Sequence, residues 1–96
     1  MGSMKYTVVK TKRFKTAYKR VSQLRGFKKN VFKGVVQKLA EGGELDKKYR
    51  DHQLTGNLKD FRECHLASDI LLIYQIDDGI LVLTLVSVGS HSQLFR

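Results

Sequence analysis

Histidines and carboxylates are concentrated between Arg50 and Asp69, in the middle of the 96-residue chain. This stretch contains two of the three histidines, His52 and His65, and four carboxylates, Asp51, Asp60, Glu63 and Asp69. The third histidine, His91, lies near the end of the chain in Gly-Ser-His-Ser. Because imidazole titrates near neutral pH, a pair of histidines can remove a proton from one group and donate a proton to another. These residues could therefore carry acid–base chemistry if the fold brings them together.

RNA cleavage is one reaction that requires two proton-transfer groups beside cations. One group removes the proton of the ribose 2′-hydroxyl, and the other protonates the 5′-oxygen that leaves. Arginine or imidazolium stabilises the negative charge that develops at the phosphate, and Arg50 and Arg62 lie in the same stretch. This chemistry needs neither a metal ion nor a cofactor, and we expect neither.

Other kinds of site are less favoured by the spacing. Three histidines and an acid could bind zinc, but the chain contains no His-x-x-x-His pair and no Cys-x-x-Cys motif. A thiol nucleophile is not expected, because Cys64 and His65 are neighbours on a predicted strand and point to opposite faces. A single histidine in such a position is usually a surface or hydrogen-bonding residue, so the prediction depends on the three acting together. Phe95 could stack on a base or pack beneath the sheet, and the sequence does not distinguish the two.

The charge of the chain is large and unevenly distributed. The net charge is +9, and residues 1–50 carry 15 Lys/Arg against 3 acids. Such a cationic half favours a polyanionic partner such as RNA, the ribosome or an acidic protein, although it could also be a solvated surface that keeps the protein soluble. The sequence has no run of about 18 apolar residues, no signal peptide and a single cysteine, which predicts a cytoplasmic protein with no membrane partner.

The periodicity of the apolar residues predicts an α+β fold. Two amphipathic helices over 12–24 and 28–40 would form a hairpin. Strands are predicted at 5–10, 61–66, 70–76 and 80–88, with a hairpin turn at 77–79. The result is a mainly antiparallel sheet of roughly four strands with the helical hairpin on one face. Residues 1–3 are interpreted as a cloning remnant, and 4–96 as a single domain.

This order of strands brings the candidate site together. If the strands pair in chain order, the end of the 61–66 strand and the start of the 70–76 strand lie at one edge of the sheet. The 80–88 strand runs antiparallel to its neighbour and returns towards that edge. His65, Asp69 and His91 are therefore expected to converge, and the connection that carries His52 leads to the same neighbourhood.

Four segments, in this order and spacing, resemble a known family. They are Tyr-Arg-Asp-His-Gln-Leu-Thr-Gly at 49–56, Phe-Arg-Glu-Cys-His at 61–65 with Asp69, Leu-Leu-Ile-Tyr at 71–74, and Gly-Ser-His-Ser at 89–92 with Leu94 and Phe95. From about Met4 to its end, the chain resembles the YafQ branch of the RelE/ParE toxin superfamily, the toxins of bacterial type II toxin–antitoxin pairs. The helical half resembles that family only in its pattern.

The resemblance implies a RelE-like fold and a function. The expected activity is endoribonuclease cleavage of mRNA in the A site of the translating ribosome. The expected partner is a DinJ/RelB-type antitoxin, with operator DNA bound only through the toxin–antitoxin complex. The catalytic set implied by motif position is His52, His65, Asp69 and His91, with substrate contacts from Arg50, Arg62 and Phe95. Proton transfer is assigned to His91 and Asp69, and phosphate or transition-state contacts to His52 and His65.

One departure and two alternatives accompany this expectation. Many relatives have Pro-Asp-Trp where this chain has Ser68-Asp69-Ile70, which weakens any stacking role at position 70 and could loosen the loop. A non-nucleolytic toxin of the same fold, such as a gyrase inhibitor, is the first alternative, although it would have no need of several proton-transfer groups. The second is a basic module that binds RNA or a protein partner and cleaves nothing.

Overall fold

The computed structural model describes residues 4–95, so the prediction for residues 1–3 lies outside the described part of the chain. The elements, in chain order, are β1 (Thr7–Lys10), α1 (Lys12–Val21), α2 (Lys29–Ala40), β2 (His52–Gln53), β3 (Arg62–Ala67), β4 (Ile70–Asp77), β5 (Val82–Gly89) and α3 (His91–Leu94). Two short 3₁₀ turns, Lys47–Tyr49 and Gly56–Leu58, flank β2. No helix within residues 4–95 is long and apolar enough to cross a membrane.

The α+β fold is confirmed, and its sheet has five strands in the order β1-β5-β4-β3-β2. The expected sheet of about four strands was one strand short, because the connection between α2 and β3 contributes the two-residue strand β2. The sheet is also mixed: β1 pairs with β5 in parallel, whereas all other pairs are antiparallel. This parallel pairing is possible because the two helices carry the chain back across the sheet.

The turn between β4 and β5 is longer than predicted. Asp77 pairs with Val82, so residues 78–81 form the connection and the last strand begins at Val82 rather than at residue 80. One carboxylate oxygen of Asp77 accepts the N–H groups of Gly79 and Ile80 at 2.9 and 3.2 Å. This side-chain bonding replaces the backbone bonds of a two-residue turn.

Helix α1 is attached to the sheet through its N-cap. The hydroxyl of Thr11 accepts the N–H of Phe14 at 2.9 Å and donates to the carbonyl of Val86 at 2.7 Å. The helix ends at Val21, earlier than the predicted residue 24, because the N–H groups of Gln23 and Leu24 bond three residues back. Bonds of this type tighten and end an α-helix.

The core lies between the two long helices and one face of the sheet. From the helices it contains Phe14, Ala17, Val21, Phe32, Val35, Leu39 and Ala40, and from the strands Cys64, Ile70, Leu72, Tyr74, Leu83, Leu85 and Val88. A register shift between Ile73 and Tyr74 against β5 lets both Leu85 and Val88 reach this face. Because side chains alternate along a strand, the residues between these positions point to the opposite face, where the polar residues of β2 and β3 meet.

Candidate active site

A groove of about 520 Å³ lies on the face of the sheet opposite the helices. It is lined by Arg50, His52, Leu54, Thr55, Leu58, Glu63, His65, His91 and Phe95. All three histidines of the chain therefore border one space, although they are separated by up to 39 positions in the sequence. Of the residues expected to converge, His65 and His91 border this groove together with His52, whereas Asp69 does not line it.

The register of the sheet sets the width of this groove. His65 pairs with Leu71, and Leu71 pairs with Gly89, so the three residues form one row across β3, β4 and β5. At 4.7–4.9 Å per strand, the backbone at His65 lies about 10 Å from that at Gly89. His91 follows Gly89 by two residues. Strand β4 therefore lies between His65 on β3 and the end of β5, from which His91 follows.

A buried carboxylate joins two of the histidines. Glu63 Oε1 lies 3.6 Å from His52 Nε2 and 3.5 Å from His65 Nε2, and the Glu63 side chain is only 3% exposed. His52 is the outer histidine, with 51% of its side chain exposed, whereas His65 is 17% exposed. Glu63 was not among the predicted site residues. The sequence could have indicated Glu63, because it lies two residues before His65 on a predicted strand and positions i and i+2 share a face.

The outer histidine is fixed in one tautomer by its other ring nitrogen. His52 Nδ1 lies 2.7 Å from the carbonyl oxygen of Arg50. A carbonyl only accepts hydrogen bonds, so Nδ1 carries a proton and donates it. In the neutral ring, Nε2 is then unprotonated and able to accept a proton. Arg50 has a left-handed backbone conformation, with φ of 50°, which aims this carbonyl back at the ring two residues on.

The third histidine sits on a short capped helix at the other side of the groove. Ser90 and Gln93 form a capping box: the Ser90 hydroxyl accepts the N–H of Gln93, and the Gln93 side chain accepts the N–H of Ser90. The N–H of His91 donates to Asp69 Oδ1 at 3.2 Å. Asp69 thus ties the β3–β4 turn to the start of α3. The ring of Phe95 lies 5.3 Å from that of His91, on the rim of the groove.

The structure separates Arg62 from the other predicted substrate contacts. Arg62 pairs with Tyr74 on the helix side of the sheet, because it alternates with Glu63 along β3. Its guanidinium donates to the carboxylate of Asp51, with Nη2 3.1 Å from Oδ2, and this ion pair raises the pKa of Arg62. An arginine held in this way on the far face is not free to bind a substrate in the groove.

Two further residues considered in the sequence also lie on the helix side. Cys64 is fully buried among apolar residues, and burial raises the pKa of its thiol to about 12, which leaves it a core residue and not a nucleophile. Ile70, for which the resemblance weakens any stacking role, is 5% exposed and belongs to the core. Across residues 4–95, no three His, Cys, Asp or Glu side chains are arranged to hold a metal ion.

Comparison with known proteins gives relatives of the same size and fold. A metal-bound toxin from Helicobacter pylori is 46% identical, with a TM-score of 0.85 over 94% of this chain and 99% of that chain. YafQ in the DinJ–YafQ complex of Escherichia coli is 26% identical, with a TM-score of 0.83 over 95% of this chain and 99% of that chain.

The curated relatives match over a shorter stretch. The mRNA interferase toxin YafQ of Escherichia coli strain K12 is 38% identical over 47 residues, which cover 49% of each chain. The aligned stretch spans about half the length of the curated relatives that it matches. The family model described as bacterial toxin of type II toxin-antitoxin system, YafQ, matches residues 6–96, and the chain belongs to this family of toxins.

Proposed function

We propose that this toxin is an endoribonuclease that cleaves mRNA on the ribosome by metal-independent acid–base chemistry. The observation that carries the proposal is the groove bordered by three histidines, with Asp69 bonded to the backbone of one of them. The relative named mRNA interferase toxin supports the same activity. Neither a gyrase inhibitor nor a simple binding module needs several proton-transfer groups in one groove.

In this proposal His52 acts as the general base. Its Nδ1 is committed to the Arg50 carbonyl, so Nε2 takes the proton of the ribose 2′-hydroxyl. The 2′-oxygen then attacks phosphorus, and the bond to the 5′-oxygen breaks to leave a cyclic phosphate. Glu63 attracts the imidazolium that forms, because its carboxylate is buried within 3.6 Å of Nε2. This assignment differs from the one implied by motif position, which gave proton transfer to His91 and Asp69.

The general acid in this proposal is His91. It borders the same groove as His52, and in this proposal it donates a proton to the 5′-oxygen that leaves. His65 and Arg50 contact the phosphate from the floor and the rim. Phe95 stacks on a base beside His91, and Asp69 holds the N-terminus of α3 in place.

The partners in this proposal follow from the charge and the family. The exposed lysines and arginines of α1 and α2 form a cationic surface that suits ribosomal RNA. A relative, Escherichia coli YafQ, was crystallised with DinJ. We infer a DinJ/RelB-type antitoxin for this chain as well, one that neutralises the toxin and brings it to operator DNA only as part of the complex.

The direct test is the loss of cleavage in His91→Ala. Purified toxin is mixed with ribosomes that carry a defined mRNA, and the products are mapped by primer extension. Wild-type protein should cut the message in the A site, and His91→Ala should reduce the rate by about 100-fold or more, the usual contribution of a general acid. Ser92→Ala, an exposed neighbour on the same helix, is the matched control and should cut normally.

Two results would overturn the proposal. If His91→Ala cuts as fast as wild type, the groove is not the active site. If the wild-type protein binds programmed ribosomes but leaves the mRNA whole, it is a binding module. DNA breaks after expression, without loss of mRNA, would instead identify a gyrase inhibitor.

A further inference from the structure

Three side chains on the helix side of the sheet form a closed polar network directly behind the groove. The carboxylate of Asp51 accepts hydrogen bonds from Arg62 Nη2 at 3.1 Å, from Arg62 Nε at 3.4 Å and from the hydroxyl of Tyr74. Arg62 Nε also lies 3.3 Å from the Tyr74 hydroxyl. Each member therefore contacts the other two, and the carboxylate is bonded through both of its oxygens.

The network is anchored in the core of the protein. Tyr74 is fully buried, and burial, with the hydrogen bond to Asp51, raises the pKa of its hydroxyl. The hydroxyl consequently stays protonated and remains a donor at all physiological pH values. Tyr74 is part of β4, the central strand of the sheet, whereas Asp51 immediately precedes the edge strand β2. The network thus joins the edge of the sheet to its central strand.

The edge strand needs such an anchor because its own pairing is short. β2 has two residues, and only His52 and Gln53 pair with β3. Asp51 lies between Arg50, whose carbonyl binds His52 Nδ1, and His52 itself. Holding Asp51 in place therefore fixes both the histidine and the acceptor that sets its tautomer. Alternation along the strand directs Asp51 towards the core and His52 into the groove.

We propose that Asp51, Arg62 and Tyr74 are positioning residues that hold His52 in the groove in the tautomer with Nδ1 protonated. None of the three lines the groove, so none touches a bound substrate. The inference rests on the proposed function, in which His52 accepts a proton. It also gives Arg62 a role in place of the substrate contact expected from the sequence.

The kinetic test uses Asp51→Asn and Tyr74→Phe in the wild-type and His52→Ala backgrounds. Asp51→Asn should lower kcat by about 10- to 100-fold, as a misplaced catalytic group does, and leave KM for programmed ribosomes unchanged. Tyr74→Phe keeps the buried ring and removes one hydrogen bond, so kcat should fall by about five-fold. In the His52→Ala background both changes should have little further effect, because residues that act as a unit are not additive.

Matched controls separate positioning from stability. Asp60→Asn alters an exposed aspartate of the same connection and should leave kcat and the melting temperature unchanged. The proposal is wrong if Asp51→Asn and Tyr74→Phe slow the His52→Ala protein as much as they slow the wild type. It is also wrong if both variants keep the wild-type kcat.

A second measurement does not depend on cleavage. In long-range ¹H–¹⁵N spectra of the free protein at pH 8, the His52 ring should give a protonated Nδ1 and an unprotonated Nε2. Asp51→Asn should shift both ring nitrogens towards the averaged values of a mobile imidazole, and unchanged ring signals would overturn the proposal. If the ring responds as expected but wild-type protein cuts no RNA, the positioning network stands and the proposed nuclease activity fails.

Discussion

At the scale of single residues, the groove depends on one carboxylate, Glu63, that contacts two imidazoles. A buried carboxylate is costly unless it is paired, and among the described residues the side chains in salt-bridge range of Glu63 are those of His52 and His65. The arrangement keeps both rings directed into the groove and supplies negative charge where an imidazolium forms. Glu63 thus belongs to the site as fully as the histidines do.

This arrangement makes Glu63→Gln an informative substitution. The amide keeps the volume of the side chain and removes its charge, so the protein should fold while cleavage falls by about ten-fold, or about 1.4 kcal/mol, close to the value of a charge-assisted hydrogen bond. Single-turnover cleavage on programmed ribosomes measures the effect. Glu44→Gln, an exposed carboxylate, is the control, and equal rates for the two variants would show that Glu63 has only a structural role.

The same residues show how far the sequence could lead. The pattern of strands predicts that His65, Asp69 and His91 converge at one edge of the sheet with His52 nearby. The three histidines instead border a groove on the face of the sheet, and Asp69 is bonded to the backbone of His91. The resemblance implies a substrate contact for Arg62, and the sequence assigns Glu63 no role in the site. Side chains alternate between the two faces of the sheet along β3. Glu63 is two residues from His65 and shares its face, whereas Arg62 is three residues away and lies on the opposite face.

At the scale of elements, α3 is the part of the site with the least support. It is a single turn of four residues, and an isolated turn of this length has no stability of its own. The capping box of Ser90 and Gln93 and the bond from His91 to Asp69 hold it in place. The orientation of His91 therefore depends on a few polar contacts at the end of β5.

Removing the cap should affect cleavage more than stability. Ser90→Ala should cost about 1 kcal/mol of helix stability, which lowers the ratio of ordered to disordered α3 roughly five-fold, so the cleavage rate should fall by up to about five-fold. The melting temperature should change little, because α3 contributes no buried residue to the core. Ser22→Ala, at the end of α1, is the control for loss of a serine. A Ser90→Ala protein that cleaves at the wild-type rate would mean that α3 is not needed in this form.

Two features of the sheet were not predicted, because neither leaves a pattern over neighbouring residues. Strand β2 has two residues, which is too short for any periodicity to be detected. The parallel pairing of β1 with β5 joins Thr7 to Val82, and a contact over such a separation leaves no local signal. The long helices and the three long strands were predicted because each carries an apolar pattern over several residues.

At the scale of the whole molecule, the two halves of the chain have different tasks. The helices cover one face of the sheet and expose lysines and arginines, whereas the opposite face carries the histidine groove. The cationic surface can therefore bind an RNA-rich particle without occupying the groove. We expect it to govern affinity for the ribosome and not the rate of the chemical step.

The salt dependence of ribosome binding tests whether the cationic surface governs affinity and not the chemical step. Each phosphate contact contributes about −0.7 to the slope of log affinity against log salt for single-stranded RNA. Replacing Lys15 and Lys19, which are exposed on α1, by Ala should reduce the magnitude of that slope by about 1.4, with the single-turnover rate at saturation unchanged. Sedimentation with ribosomes at several salt concentrations measures the slope, with Thr16→Ala as the control. An unaltered slope would mean that α1 faces away from the ribosome.

If the histidine groove cuts translated mRNA, a map of mRNA 5′ ends in living cells will show the cuts. Cells that express the wild-type protein should acquire new 5′ ends at defined positions within reading frames. Cells that express His52→Ala/His91→Ala at the same level should lack them. Identical maps for the wild type, the double variant and the uninduced culture would mean that the groove does not cut translated mRNA.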